Sequence, residues 1–269
     1  MRVDGSPGAL VDAADRGLAY AHGVFETIRV WRGKPVYLEE HLLRLVRGCD
    51  RLGIRTDGLV ERLRRDLDAE LGSAGADAVA KIVVTAGPGA RGYRYDPAGQ
   101  LTRIVSILPY VADVDAATSG IAVSCCATRL GLNPALAGIK HLARIEQVLG
   151  AGEILPGCVE GLMFDIEDYV VEGTRSNVFA VIEDELTTPR LDRAGVEGIM
   201  RERIILQEGA TVRRITRAEL LGATELLVCN SVFGILAVTR LHVGSDVVTL
   251  PFGARTRDIA SRIGFPQSA

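Results

Sequence analysis

Apolar positions along the first third of the chain alternate between two periods. Gly23 to Trp31 carries aromatic and β-branched residues in close succession (Val24, Phe25, Thr27, Ile28, Val30), the pattern of a strand. Arg32-Gly33-Lys34-Pro35 then turns the chain into a second short strand at Val36-Tyr37-Leu38. From Glu39 to about Leu52 the apolar residues Leu42, Leu43, Leu45, Val46 and Cys49 fall at helical spacing, and Gly53 is placed to end that helix. Leu59 to Leu71 repeats the helical pattern. Lys81 to Ala86 and Thr102 to Leu108 read as strands, with the Gly-rich loop Gly87-Pro88-Gly89-Ala90-Arg91-Gly92-Tyr93 between them.

Between Pro109 and Gly120 the apolar pattern gives way to Asp, Ala, Thr and Gly, as in a linker. Beyond it strands are expected at Ile121 to Cys125, Gly161 to Asp165, Tyr169 to Val171, Asn177 to Ile182, Glu225 to Val228 and Ile235 to Val238. Helices are expected near Lys140 to Leu149, Gly198 to Gln207 and Thr216 to Leu221. The pattern predicts an α+β or mixed α/β fold of two domains: a small α/β domain over residues 1–108, an interdomain linker over 109–120, and a larger, strand-rich domain over 121–269.

Composition narrows the function classes. With 48% hydrophobic and 24% charged residues, the chain of 269 residues has the make-up of a soluble globular protein with a substantial core. A net charge of −3 lacks the basic surplus that nucleic-acid binding calls for. No apolar run approaches the roughly 18 residues of a membrane span, and Met1-Arg2-Val3-Asp4-Gly5 opens no signal-peptide-like stretch, so the expected location is cytoplasmic. The five cysteines form no CxxC pair and the four histidines share no metal-ligand spacing. Reduced, mostly buried thiols and no metal site are therefore expected.

Lysine usage is more informative. Of 31 basic residues only Lys34, Lys81 and Lys140 are lysines. Where arginine serves almost every positive charge, a surviving lysine marks a candidate for chemistry that guanidinium cannot do, above all Schiff-base formation by an amine that can lose its proton. Lys34 lies in a hairpin turn and Lys81 opens the run Ile82-Val83-Val84 as a strand-edge charge, whereas Lys140 sits among apolar neighbours in Ala137-Gly138-Ile139-Lys140-His141-Leu142.

That segment, from Ala137 to Leu149 and preceded by Arg129-Leu130-Gly131-Leu132-Asn133-Pro134, resembles the active-site lysine segment of fold-type IV pyridoxal-phosphate (PLP) enzymes, the class-IV aminotransferase family. More narrowly it is similar to that of the aminodeoxychorismate lyases, whose motif reads close to AGIKHLNRLEQVL. Weaker matches follow in the family's order from about Asp15 to Val238. The resemblance implies a two-domain fold like that of D-amino-acid aminotransferase, PLP held on Lys140, and a homodimer. It also implies site residues. Arg44, in His41-Leu42-Leu43-Arg44-Leu45, matches the phosphate-binding arginine; taken alone, an arginine on an amphipathic helix is more often a solvated face. Glu172, 32 residues after Lys140, matches the glutamate beside the pyridine nitrogen. Gly195-Val196-Glu197-Gly198-Ile199-Met200 resembles a phosphate cup in which the amides of Ile199 and Met200 meet the anion, and Asn230-Ser231 resembles a second cup. Thr27 and Glu26 match the strand that faces the substrate, and Arg91 matches a loop arginine for a substrate carboxylate.

The activity so implied is elimination of pyruvate from 4-amino-4-deoxychorismate to give 4-aminobenzoate, a step of folate biosynthesis, with Lys140 as general base. Its amine must lose a proton well below the free value near ~10.4. Two alternatives stay open: a class-IV transaminase acting on D-amino or branched-chain amino acids, and a catalytically idle PLP-binding protein. Three positions depart from the lyases: His22 where Asp is frequent, Ala143 where Asn is usual, and Arg175 where Ser or Ala is found.

Overall fold

A computed structural model describes residues 1–72 and 77–263. The chain divides into two compact units: Met1–Val111 with Ile139–Ala143, and Ala112–Gly138 with Arg144–Ala269. The segment carrying Lys140 thus belongs to the first unit, detached in sequence from the rest of it.

The first unit holds β1 (Arg2–Val3), β2 (Ser6–Pro7), α1 (Arg16–Tyr20), β3 (Gly23–Trp31), β4 (Lys34–Pro35), α2 (Leu38–Arg51), α3 (Leu59–Leu71), β5 (Asp77–Thr85) and β6 (Thr102–Pro109). Its strands form an antiparallel six-stranded sheet in the order β2-β1-β6-β5-β3-β4. One face of β3 (Val24, Ile28, Val30) packs against Leu42 and Leu45 of α2 and Leu59, Leu63 and Leu67 of α3. Each such buried leucine contributes roughly 1.5–3 kcal/mol. Glu39 and Glu40 in the first turn of α2 and Arg51 in the last complement the helix dipole. The strand expected at residues 36–38 is cut short by the start of α2: Tyr37, at φ 55°, turns the chain at the N-cap, after Lys34–Pro35 has paired with β3 and the Val36 amide has donated to the Arg29 carbonyl (2.8 Å).

The second unit holds α4 (Val114–Ser119), β7 (Ile121–Leu130), α5 (Ile145–Gly152), β8 (Glu160–Asp165), β9 (Val170–Gly173), β10 (Asn177–Ile182), β11 (Glu185–Pro189), α6 (Ile199–Glu208), β12 (Thr211–Arg213), α7 (Arg217–Leu221), β13 (Glu225–Asn230), β14 (Gly234–Val243), β15 (Asp246–Thr249) and α8 (Ala254–Ile263). Nine strands make one mixed sheet in the order β12-β11-β10-β13-β14-β7-β8-β9, with β15 on β14; β7 is parallel to both β14 and β8. Its core is built from β-branched and aliphatic residues of these strands with Phe164, Ile215 and Leu220. The stretch expected as a linker contains α4, capped by the Asp113 carboxylate accepting from the Ala116 amide. The helix expected from Lys140 starts only at Ile145. Among the described residues no helix is long and apolar enough to cross a membrane.

Candidate active site

In the first unit, residues 139–143 lie beside β3 as an extended segment. The Phe25 amide donates to the Lys140 carbonyl (3.0 Å), the Leu142 amide donates to the Gly23 carbonyl (2.9 Å), and Val24 and His141 form an antiparallel bridge. This pairing displaces the helix that apolar spacing suggested, because the backbone groups of Lys140 and Leu142 are already taken by a strand. Gly23 permits it: a Cβ there would lie 2.4 Å from the Val84 carbonyl oxygen and 2.7 Å from Leu142 Cδ1. Lys140 is half-buried, and its Nζ lies 4.4 Å from the centroid of the Phe25 ring. Since side chains alternate along β3, Thr27 shares the Phe25 face.

Glu26 points the opposite way. It is fully buried, accepting from Arg44 Nε (2.8 Å) and Nη2 (2.6 Å) and paired with His41 Nδ1 at 2.6 Å. The expectation that Glu26 lines the substrate space beside Thr27 is corrected by strand periodicity: adjacent residues face opposite sides, and Glu26 falls on the side covered by α2. His41 and Arg44, three residues apart, share one buried face of that helix. Burial, the largest single effect, pushes the Glu26 carboxyl up. The Arg44 charge and the hydrogen bonds from Arg44 and His41 together outweigh it and bring it down to about 2. Burial pushes His41 down, and with Arg44 already balancing Glu26 the imidazole is neutral, its Nδ1–H donating to the carboxylate. His41 Nε2 is then a buried acceptor with no hydrogen-bond partner.

Arg91 is exposed in the loop between β5 and β6. Lys34 and Lys81 are exposed as well, leaving Lys140 the half-buried member of the three lysines.

In the second unit Glu172, on β9, is 4% exposed. One carboxylate oxygen accepts from the Val196 amide (2.8 Å) and the other from Gln147 Nε2 (3.2 Å). The Val196 carbonyl accepts from Asn177 Nδ2 (2.9 Å), so this peptide is held from both sides. Gly195, at φ 85°, makes the turn and lies against Glu172, Val171 and Leu191. Gly198 is the N-cap of α6, with no side-chain cap for the first-turn amides of Ile199 and Met200. A carboxylate and a helix N-terminus are therefore linked through one four-residue turn, the first suited to a cation and the second to an anion. Ser231 is buried at the end of β13. The Asn230 side chain is engaged in building the turn there: Oδ1 accepts from the Val232 and Phe233 amides (both 2.8 Å), and Nδ2 donates to the Arg175 carbonyl (3.1 Å). Arg175 has a largely exposed side chain whose Nη2 donates to the Val159 carbonyl.

Two contributors escaped sequence reading. His41 was legible only as part of the Arg44 motif, and Gln147 as a helix residue; the signal for each is its spacing to a site residue, His41 three before Arg44 and Gln147 seven after Lys140. The cysteines add no nucleophile: burial raises Cys49, Cys126 and Cys229 to about 12, so these thiols stay protonated. Among the described residues no group of three or more His, Cys, Asp or Glu is placed to hold a metal ion.

Comparison with known proteins agrees in length and order. The profile of the amino-transferase class IV family matches residues 23–241. The chain is 32% identical to the aminodeoxychorismate lyase of Vibrio harveyi over 274 residues, covering 97% of this chain and 98% of the relative. It is 30% identical to a putative branched-chain-amino-acid aminotransferase of Methanocaldococcus jannaschii over 243 residues, 86% of this chain and 82% of that one. The crystal structure of 4-amino-4-deoxychorismate lyase from Pseudomonas aeruginosa superimposes with a TM-score of 0.89 at 40% identity, over 98% of this chain and 99% of that one.

Proposed function

The chain belongs to the class-IV aminotransferase family, and from that premise we propose that it is a PLP-dependent aminodeoxychorismate lyase of the cytoplasm, converting 4-amino-4-deoxychorismate into 4-aminobenzoate and pyruvate. Likeness to two lyases over nearly the whole chain supports the choice within the family. The single structural observation that carries it is the half-buried Lys140 amine beside Phe25, fixed by strand pairing of its own backbone to β3.

The residues fit the cofactor by the chemistry of their donors. An aldehyde needs a primary amine, which Lys140 supplies. A dianionic phosphate needs amides and charged donors. Ile199 and Met200 at the uncapped start of α6, Ser231, and Arg44 oriented by Glu26 are of that kind. A protonated pyridine nitrogen needs a carboxylate, which Glu172 supplies, held by Val196 and Gln147. Asn230 serves through the turn that presents Ser231. When bound, the cofactor captures amines covalently and withdraws electrons from the carbon bearing the substrate nitrogen.

Lys140 Nζ would hold the cofactor and, once the substrate amine had displaced it, the freed amine would take the proton from that carbon. The C–O bond on the neighbouring ring carbon breaks, the enolpyruvyl group departs and becomes pyruvate, and the ring becomes aromatic, which supplies much of the driving force. Arg91 binds a substrate carboxylate and Thr27 lines the face that Lys140 shares with Phe25. A transaminase is the second reading, favoured by the archaeal relative. It would use the same lysine to return the proton elsewhere and would need a keto-acid acceptor.

We read the active form as a homodimer. Ile145, Val148 and Leu149 are 65%, 63% and 55% exposed and form one apolar face of α5, a surface suited to cover by a second copy.

The deciding experiment incubates the purified, PLP-loaded protein with aminodeoxychorismate alone and, separately, with D-alanine plus 2-oxoglutarate. The expected result is release of 4-aminobenzoate and pyruvate in the first mixture, with no keto-acid acceptor added. Glutamate formation in the second mixture, with no 4-aminobenzoate in the first, would replace the lyase by the transaminase.

A further inference from the structure

The loop that carries Arg91 is rich in glycine, with Gly87, Gly89, Gly92 and Gly99 between β5 and β6, yet a single buried side chain gathers it. Arg16, the first residue of α1, is 4% exposed. Its Nη1 donates to the Gly92 carbonyl (3.0 Å) and the Arg94 carbonyl (3.3 Å), and its Nη2 donates to the Tyr93 carbonyl (3.0 Å). Three consecutive peptide oxygens, beginning one residue past Arg91, thus converge on one guanidinium. No carboxylate pairs with Arg16 among the described residues; carbonyl dipoles and the faces of Tyr20 (4.8 Å) and Tyr95 (5.7 Å) surround the charge.

The Nε–H of the same guanidinium is engaged as well. Arg16 Nε donates to His22 Nδ1 (3.3 Å), while His22 Nε2 lies 2.9 Å from the Leu52 carbonyl. A carbonyl only accepts, so Nε2 carries the proton and Nδ1 is the acceptor that Arg16 needs. The His22 ring in turn meets Tyr95 edge-on at 4.7 Å, and the Gly92 amide donates to Tyr20 Oη (3.0 Å). His22, a departure from the lyase pattern, therefore has a place: it completes the clamp.

We propose that Arg16 is a positioning residue that fixes the backbone from Gly92 to Arg94 and so sets Arg91 for the substrate carboxylate, governing substrate affinity rather than the bond-breaking step. The inference rests on the reading of Arg91 given above. A planar fork with donors in three directions makes these contacts together. A lysine ammonium, a point charge on a flexible stem, does not hold three consecutive carbonyls and a histidine nitrogen at once.

The test is a double-mutant cycle on the PLP-loaded enzyme with Arg16→Lys, Arg91→Gln and both, after circular dichroism shows each folded. Arg16→Lys is expected to raise KM roughly tenfold or more, the scale of lost charge-assisted hydrogen bonds, with kcat changed by less than about threefold and the absorbance of the bound cofactor unmoved. In the double variant the two KM effects should fall well short of multiplying. Hydrogen exchange of residues 88–100 should accelerate in Arg16→Lys, and more weakly in Tyr20→Phe, which removes one contact of the same loop. An unchanged KM with unchanged exchange overturns the proposal, as does a kcat loss that tracks loss of cofactor. Faster exchange with fully multiplicative KM effects shows that Arg16 holds the loop but that Arg91 is not what it positions, which also overturns it. If the active substrate proves to be an amino acid, the same KM split is read with that donor, so failure of the lyase assignment and failure of the clamp give different results. Should Arg16→Lys not fold, Tyr20→Phe alone decides, by whether KM and loop exchange rise together.

Discussion

Glu172 accepts on one carboxylate oxygen from the Val196 amide and on the other from the Gln147 side chain, and these two donors fix where the carboxylate stands. Replacing it by Gln puts an NH₂ group where one oxygen stood, facing either the Val196 N–H or the Gln147 amide, and removes the negative charge. Turnover in Glu172→Gln should fall by roughly a hundredfold or more, the range of groups that act on a proton-transfer step, while 4-aminobenzoate binding stays near that of the parent. A kcat within a few-fold of the parent would remove Glu172 from its role. Lys140 is the sharper case, since it is the half-buried member of the three lysines, Lys34 and Lys81 being exposed. Borohydride treatment of the loaded protein should fix the cofactor to the peptide containing Lys140, and Lys140→Ala should lose turnover while its circular dichroism spectrum is kept. Label recovered on Lys34 or Lys81 would refute the assignment.

At the scale of elements, the two periodicities were legible where one face of an element packs on a core: β3, α2 and α3 lie within a residue of their expected ends because their apolar residues answer to one buried layer. Legibility failed where long-range pairing decides. Lys140 to Arg144 has helical spacing yet lies extended, because the Phe25 amide and the Gly23 carbonyl, more than a hundred residues away, capture its backbone. Short strands such as β11 and β12 carry no period long enough to read, whereas α8, whose Ile259 and Ile263 stand four apart on one buried face, lies beyond the last element the pattern predicts. The site divides in the same way. Lys140, Glu172 and Arg44 were visible as motif residues, whereas the orientation of Glu26, the clamp of Arg16 and the support from Gln147 depend on neighbours that only folding supplies. Gly23 links element and site: Gly23→Ala places a Cβ within 2.4 Å of the Val84 carbonyl, so either β3 leaves β5 or residues 139–143 leave β3. A loss of about 1–3 kcal/mol is expected for such overpacking, read from denaturant midpoints, together with weaker incorporation of PLP. Parental stability and parental PLP uptake in this variant would show that the close approach is dispensable.

For the molecule as a whole the sharpest dependence is on acid, and its source is one cluster. Several surface carboxylates lie below their ordinary range, Glu39 through its hydrogen bond from Arg64, Glu167 from Arg193 and Asp168 from Arg217. Exposed pairs of this kind contribute little and are screened by salt. Glu26 is different, being fully buried with a carboxyl held at about 2 against an ordinary 4.5. A carboxyl depressed in the folded state contributes stability that is complete above the unfolded value and is lost as pH falls through the folded one. The Glu26 contribution is therefore whole above pH 4.5 and disappears towards pH 2, and it amounts to roughly 3 kcal/mol. His41, pushed down by burial, acts in the same direction but earlier, since the unfolded imidazole begins to take a proton near pH 6.5. Stability should therefore decline gently below pH 6.5 and steeply below 4.5, and the steep part should persist in 0.5 M NaCl because burial shields the pair from screening. Glu26→Gln should cost about 3–5 kcal/mol at pH 7 by removing the buried carboxylate that Arg44 and His41 hydrogen-bond, and should flatten the dependence between pH 4.5 and 2. Denaturant midpoints measured at pH 7, 4.5 and 3 in both proteins separate the two effects. A variant that keeps the parental slope in acid would mean that the surface carboxylates, not the Glu26–Arg44–His41 cluster, set the acid limit of this fold.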